Sequence, residues 1–363
     1  MAAMVIVNNP GDWGNVYAPL LHAPWHGWTP TDLIFPFFIF IVGVSITMST
    51  RSAMSVGVLA RRAGLIFALG LLLSLYPRFD LSTVRIMGVL QRIALCYFAA
   101  ALFYRSMRHE DEEERWQSAV GVSALVLLGY WALMRFVPVP GGVAGDLTPA
   151  GNLGAWLDRT LLGEAHLWRS SRTWDPEGLL STLPAVATAL TGVAVGVVIT
   201  GRRTPAEKVA GLVGAAGIAI LIAMVWDRSF PINKNLWTSS YVLMTSGMAT
   251  LGLAACYWMG DARTAGSPGE AREPRWFVRP FVVLGVNALF LFVASGLVVK
   301  TLIWFHVTGP DGEAITVLRW LYTSFFEPYG NPKNASLAFA SANLLVLYAC
   351  CEVLYRKRWF LRV

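Results

Sequence analysis

Nine apolar stretches, each about 20 residues long, constrain this chain more than any other feature; they lie at 31–50, 59–76, 84–104, 117–137, 179–200, 209–226, 237–258, 277–305 and 336–355. A helix of that length crosses the hydrocarbon of a bilayer, and the stretches end in Arg, Lys, Pro or Trp as membrane helices do. Hydrophobic residues make up 55% of the 363 and charged residues only 14%, with no separate polar half, so a soluble domain is excluded. The strict alternation of outer-membrane strands is absent. The expected fold class is all-α: one polytopic transmembrane helix bundle of about ten helices over 1–363. The first of these helices is expected to be truncated, because residues 1–7 are apolar but too short to span and lack the basic start of a signal peptide.

Lys and Arg in the connections set the orientation. If the connection after the first short helix faces outward, 17 of the 29 basic residues fall on the opposite side, 9 on the outward side, and Arg92, Arg135 and Lys300 within spans. The richer side is therefore read as cytoplasmic, in a multi-pass protein of a plasma membrane. Most of the net charge of +7 is this topological signal rather than a nucleic-acid footprint, so no nucleic-acid partner is expected. Cys96, Cys256, Cys350 and Cys351 all fall in apolar spans without CxxC spacing and read as buried thiols. No internal repeat is present. The runs "HEDEEER" and 260–275 read as a solvated turn and a flexible loop, whereas the long outward connection 138–178 carries Trp156, Trp168, Trp174 and His166, aromatics suited to a sugar ring or to lipid headgroups.

In "YAPLLHAPWHGWTPTDLIFPFF", Thr29, Pro30 and Asp32 have the positions of an N-cap, a first helical residue and a capping-box acid. A second copy of the device is read at Asp175 and Pro176 in "WDPEGLLSTLP". Capping does not explain why Asp32 follows His22 and His26 within ten residues, a set able to hold a neutral imidazole in one tautomer. Pro24 and Gly27 oppose a helix that would align the two histidines on a metal, so no metal site is expected. Arg92 sits about 12 Å deep in its span; with Arg135 and Lys300 it is a candidate to line an internal path for an anion, the alternative being snorkelling, which fits Arg135 and Lys300 better because they lie closer to helix ends. "FPINKNLWTSSYVL" gathers Asn233, Lys234 and Asn235 at an outward helix mouth, and Asn287 in "GVNAL" stands inside an apolar helix where its amide needs a partner.

These stretches, together with "VNNPGDW" and "RIMGVLQRIALCY", resemble in order, over nearly the whole chain, the bacterial relatives of heparan-α-glucosaminide N-acetyltransferase. The resemblance implies an enzyme that takes acetyl-CoA from the cytoplasm and acetylates a glucosamine amine across the membrane. The family histidine of His-Ala-x-Trp-x-Gly falls on His22, the asparagine of Val-Asn on Asn8, and the acid of Thr-x-x-Asp-Leu-x-Phe-Pro on Asp32. His22 is thus expected as general base, oriented by Asp32 or Asn8, or as the carrier of an acetyl intermediate. Arg92, Asn287 and Lys234 are assigned to acetyl-CoA, and Trp25, His26, Asn233 and Asp175 to the acceptor. This sequence departs from its relatives in a shorter first helix and in Met87 where proline is expected.

The resemblance implies a bacterial inner membrane, lipid and a small amino sugar as partners, and leaves a homodimer open. A cell-wall or chitosan-derived glucosamine suits the short loops better than heparan. Two readings from other classes stand beside this one: an amino-sugar or muropeptide transporter, and an envelope-glycan O-acyltransferase.

Overall fold

The computed structural model describes residues 1–49, 55–262, 278–309 and 312–360. Arg51, Arg263, Arg272, Arg275 and Arg362, counted above toward the basic side, and most of the loop 260–275 lie outside the described residues. Thirteen α-helices account for nearly all the described regular structure: α1 (Ala2–Asn8), α2 (Ile34–Met48), α3 (Val56–Leu75), α4 (Val89–Ser106), α5 (Glu112–Phe136), α6 (Leu153–Leu162), α7 (Thr182–Thr200), α8 (Pro205–Trp226), α9 (Ser239–Tyr257), α10 (Arg279–Val286), α11 (Ala288–Trp304), α12 (Val317–Phe325) and α13 (Pro332–Arg356). A hairpin of β1 (His306–Thr308) and β2 (Ala314–Thr316) joins α11 to α12. The protein is a multi-pass helical bundle. Seven of its helices are long and apolar enough to cross a membrane, and the pair α10 and α11 makes an eighth span if counted together. Side chains such as Leu125, Leu221 and Val225, fully presented outward, meet lipid where a soluble protein would place polar groups.

The helices pack in two groups. In the larger, α7 is the most enclosed element and lies against α2, α4, α5 and α9, while α3 packs on α4 and α8 on α9. The smaller group joins α1, α10, α11 and α13 around Val5, Val283, Leu291, Leu347 and Cys351. Small residues let α2 and α7 approach to backbone contact: a Cβ on Gly43 would stand 1.9 Å from the Ala189 carbonyl oxygen, and one on Gly192 2.0 Å from that of Phe40. This crossing fixes α2, whose first turn carries Asp32.

Five expectations are corrected. The span 277–305 is not one helix, since α10 and α11 meet at 78° around Asn287, whose backbone is non-helical. An asparagine amide competes for backbone partners in a helix interior, and here it stands where the axis breaks. "HEDEEER" is no mere turn: Asp111 accepts the Glu114 N–H at 2.8 Å and caps α5, which starts at Glu112 inside the run. Asp175 does not cap α7, which begins only at Thr182. Cys256 and Cys350 lie on outward faces of their helices rather than buried. Lys300, read as snorkelling or lining a path, instead donates to the carbonyls of Leu73 and Tyr76 and so caps α3.

Candidate functional site

The segment before α2 is folded by its own residues. Leu21 accepts the Thr29 hydroxyl at 2.6 Å, and the Asp32 carboxylate reaches back to the Thr29 N–H at 2.9 Å, which is the returning half of a capping box. Gly27, at φ +94°, makes the turn that a side chain would oppose and donates its N–H to the Ile232 carbonyl at 2.8 Å, tying the segment to the loop before α9.

Asp32 does more than cap. Its Oδ2 also accepts the Ala23 N–H at 3.0 Å, and its Oδ1 lies 2.6 Å from His22 Nδ1. A carboxylate only accepts, so Nδ1 carries the proton and Nε2 is left with its lone pair. Asp32 is 1% exposed at its side chain and His22 45%, so a rigid, enclosed acid orients an accessible ring. The Lys234 ammonium completes the group, 3.0 Å from Nδ1 and 3.2 Å from Nε2 of His22 and 3.7 Å from Asp32 Oδ1. Near-equal distances to two nitrogens flanking one ring carbon place the ammonium over the face of the imidazole. It is therefore out of line with the Nε2 lone pair, which remains free in the ring plane. Burial lowers the Lys234 pKa, against the opposing pull of Asp32 and Glu177.

His22, Lys234 and Asn8 line a cavity of about 1080 Å³. It lies at the seam between the two helix groups and follows one face of α2 through Ile34, Phe38, Ile41, Ser45 and Ser49, the spacing of a single helical stripe. Its far end is reached at Arg62 of α3, whose guanidinium rests 4.8 Å from the ring centre of Tyr97. Its near end is rimmed by Trp13, Trp168 and Trp174, with Trp25 edge-on to Trp174 at 5.1 Å.

A second charged group stands beside this mouth. Arg85 donates through Nε to Asp175 Oδ2 at 2.8 Å and through Nη2 to Asp175 Oδ1 at 2.5 Å, and it also holds Glu177. Arg85 and Glu177 line the cavity, whereas Asp175 lies behind them. The two carboxylates raise the Arg85 pKa against its burial, and Arg85, Arg92 and Lys234 keep Glu177 below the ordinary glutamate value despite its burial.

Behind the loop, Asp158 of α6 accepts the Leu179 N–H at 2.8 Å, and burial pushes its pKa up to about 6. Because this folded value exceeds the unfolded 3.8, the stabilisation tied to its proton is complete below that value and is lost as pH rises through about 6. Asp158→Asn keeps the acceptor and removes the titration. It is expected to be more stable than the native chain at neutral pH, by about 3 kcal/mol at most, with the gain vanishing in acid; denaturation curves across pH check this.

The residues singled out in the sequence sort accordingly. His22, Asp32 and Lys234 come together, although Lys234 touches His22 rather than standing apart in a coenzyme site. Asn8 lines the cavity but makes no hydrogen bond to His22 among the described residues. Arg92 does not line the path: it is 0% exposed, donates to the Gly178 carbonyl and Ser181 hydroxyl, and lies 4.9 Å from the ring centre of Trp237. It thus positions the loop before α7. Asn287 is fully buried at the helix break, while its neighbours Val286 and Ala288 line the cavity.

Trp25 donates from Nε1 to the Leu147 carbonyl at 2.9 Å, His26 stands 3.4 Å from the Asn233 amide, and Asn233 is spent on the Leu236 N–H at 2.9 Å, so these three build the outer loops outside the cavity lining. Asp175 is occupied by Arg85. The sequence reading missed Arg85, Glu177 and Asp158; the one available signal was "DPEG", where two acids in three residues exceed what a helix cap needs.

A bundle of apolar helices with a histidine, a carboxylate and a lysine at one mouth of a cavity that follows α2 defines a polytopic membrane protein with an elongated internal cavity. Residues 1–139 match the family model described as heparan-alpha-glucosaminide N-acetyltransferase, catalytic. The heparan-alpha-glucosaminide N-acetyltransferase of Homo sapiens is 28% identical over 347 residues, a match covering 80% of this chain and 50% of that protein. That of Mus musculus is 28% identical over 350 residues, covering 81% and 51%. The chain spans about half the length of these curated relatives, and it is a relative of the heparan-alpha-glucosaminide N-acetyltransferase family.

Proposed function

We propose that the protein is a transmembrane acetyltransferase that moves the acetyl group of acetyl-CoA, taken from the cytoplasm at the Arg62 end of the cavity, to the amine of a glucosamine-containing sugar at the His22 mouth. The observation that carries this reading is the continuity of one cavity along α2, from Ser49 and Arg62 to His22 and Lys234. α2 has 15 residues, about 22 Å of helix, a distance suited to an extended pantetheine arm whose nucleotide stays near Arg62. The names of the two relatives supply the acetyl group and the glucosaminide amine.

In the transfer, the amine nitrogen attacks the thioester carbonyl, and His22 Nε2 takes the amine proton as the C–N bond forms. Asp32 holds Nδ1–H and stabilises the imidazolium. The Lys234 ammonium, over the ring, faces the developing oxyanion. Collapse breaks the C–S bond, and the thiolate of coenzyme A leaves to be protonated, with the His22 proton available to it. Trp13, Trp168 and Trp174 offer apolar faces to the sugar ring.

Vesicles with acetyl-CoA enclosed on one side and glucosamine on the other test the geometry. Labelled acetyl glucosamine is expected only when donor and acceptor are on opposite sides, with the donor at the Arg62 end. Labelled glucosamine accumulating unmodified inside, without acetyl-CoA, would instead make the protein a transporter.

A further inference from the structure

The mouth of the cavity holds one anionic oxygen that the transfer chemistry leaves unused. Asp32 is saturated by His22, Ala23 and Thr29, and Asp175 by the Arg85 fork and the Glu177 N–H at 2.9 Å. Glu177 lines the cavity and is 6% exposed, yet only its Oε2 is engaged, by Arg85. Its Oε1 has no partner among the described residues. That oxygen is not sealed away but open to the cavity, where a carboxylate oxygen can only accept a hydrogen bond. Of the cations that keep Glu177 ionised, Arg85 is shared with Asp175 and engages Oε2 alone, Arg92 lies behind the loop, and Lys234 lies over His22, so none of them is hydrogen-bonded to Oε1. That oxygen is therefore available to a cationic donor entering the cavity.

We propose that Glu177 is the counter-ion of the acceptor, binding the ammonium form of an amino sugar at the cavity mouth and selecting it over neutral sugars. The proposal rests on the acetyl-transfer reading for the identity of the ligand and adds the group that recognises it. An amino sugar reaches the protein in part as its ammonium, which cannot attack a thioester until it loses a proton. Glu177 would hold that ammonium against Arg85-fixed geometry, within the same cavity as His22, so that binding precedes the proton transfer. Arg85 is then a positioning residue, since it fixes the Glu177 carboxylate and leaves Oε1 turned to the ligand. Trp168 and Trp174 line the same mouth and cover the sugar's apolar face.

The test compares binding of glucosamine and glucose to the purified protein in lipid discs, at mildly acidic pH and without acetyl-CoA. The native protein is expected to bind glucosamine about tenfold tighter than glucose. Glu177→Gln should abolish that preference by weakening glucosamine alone, Glu177→Asp should retain part of it, and acetyl-CoA affinity should be unchanged in both. Because the readout is a ratio of two ligands on the same sample, partial misfolding does not imitate it. Equal affinities in the native protein, or equal weakening of both sugars in Glu177→Gln, would overturn the assignment. A selective ammonium site in a protein that transfers no acetyl group would sustain this inference and refute the acetyltransferase reading.

Discussion

Acetyl transfer to glucosamine is expected to fall by about 10²–10⁴-fold in His22→Ala, while acetyl-CoA still binds. The expectation comes from the division of labour around one ring. Asp32 accepts Nδ1–H at 2.6 Å, and Lys234 sits over the face, so that Nε2 is the one basic atom of the group both oriented and open to the cavity. Asp32→Asn sharpens the test. The amide can still accept the Thr29 N–H and keep the turn, but it can also present its NH₂ to Nδ1, which then loses its proton to Nε2 and leaves no base where one is needed. Its transfer rate should fall nearly as far as that of His22→Ala, with little loss of stability. Transfer assays on both variants, beside donor-binding measurements, decide the matter: a His22→Ala protein that transfers acetyl at the native rate would end the proposed mechanism.

Arg85→Ala should be the most damaging single change to the folded protein outside the membrane-spanning helices, at about 3–5 kcal/mol near neutral pH. The guanidinium is the shared partner of two buried carboxylates, and its loss leaves both uncompensated in a low-dielectric pocket. Asp175 and Glu177 would then hold protons in the fold at pH values where the unfolded chain has released them. The folded variant would bind more protons than the unfolded one, so its stability must fall as pH rises through the carboxylate range and recover in acid. Arg85→Lys should recover part of the loss, since an ammonium keeps the charge without the planar fork. Denaturation in detergent across pH reads both effects; an Arg85→Ala protein with native stability at neutral pH would show that the two acids do not depend on this cation.

The parts of this protein that were legible in the sequence are those written in neighbouring residues. Hydropathy marks a helix wherever about 20 consecutive side chains exclude water, and the bundle followed from it, although α4, which carries Gln91 and Arg92, is not among the seven helices apolar enough to cross. The turn holding His22 was equally local, because Thr29, Asp32 and the histidine lie within ten residues and the acid closes the segment on itself. The resemblance added the expectation that this turn carries chemistry.

What only the tertiary structure decided are contacts between residues far apart in the chain. Lys234 reaches His22 across 212 positions, and Arg85 finds Asp175 and Glu177 across 90 and 92. No local pattern announces such pairs, since a lysine in a loop and an arginine before a helix read as ordinary members of the charge tally until the crossing of α2 and α7 fixes where their loops meet. Arg92 shows the converse. Depth in a span made it a candidate for the path, but the direction of its side chain, toward Gly178 and Trp237 and away from the cavity, depends on which helices surround α4. The cavity has the same origin: each helix buries its own stripe, and the space along α2 exists because the two groups of helices each close a core of their own and leave the seam between them unfilled.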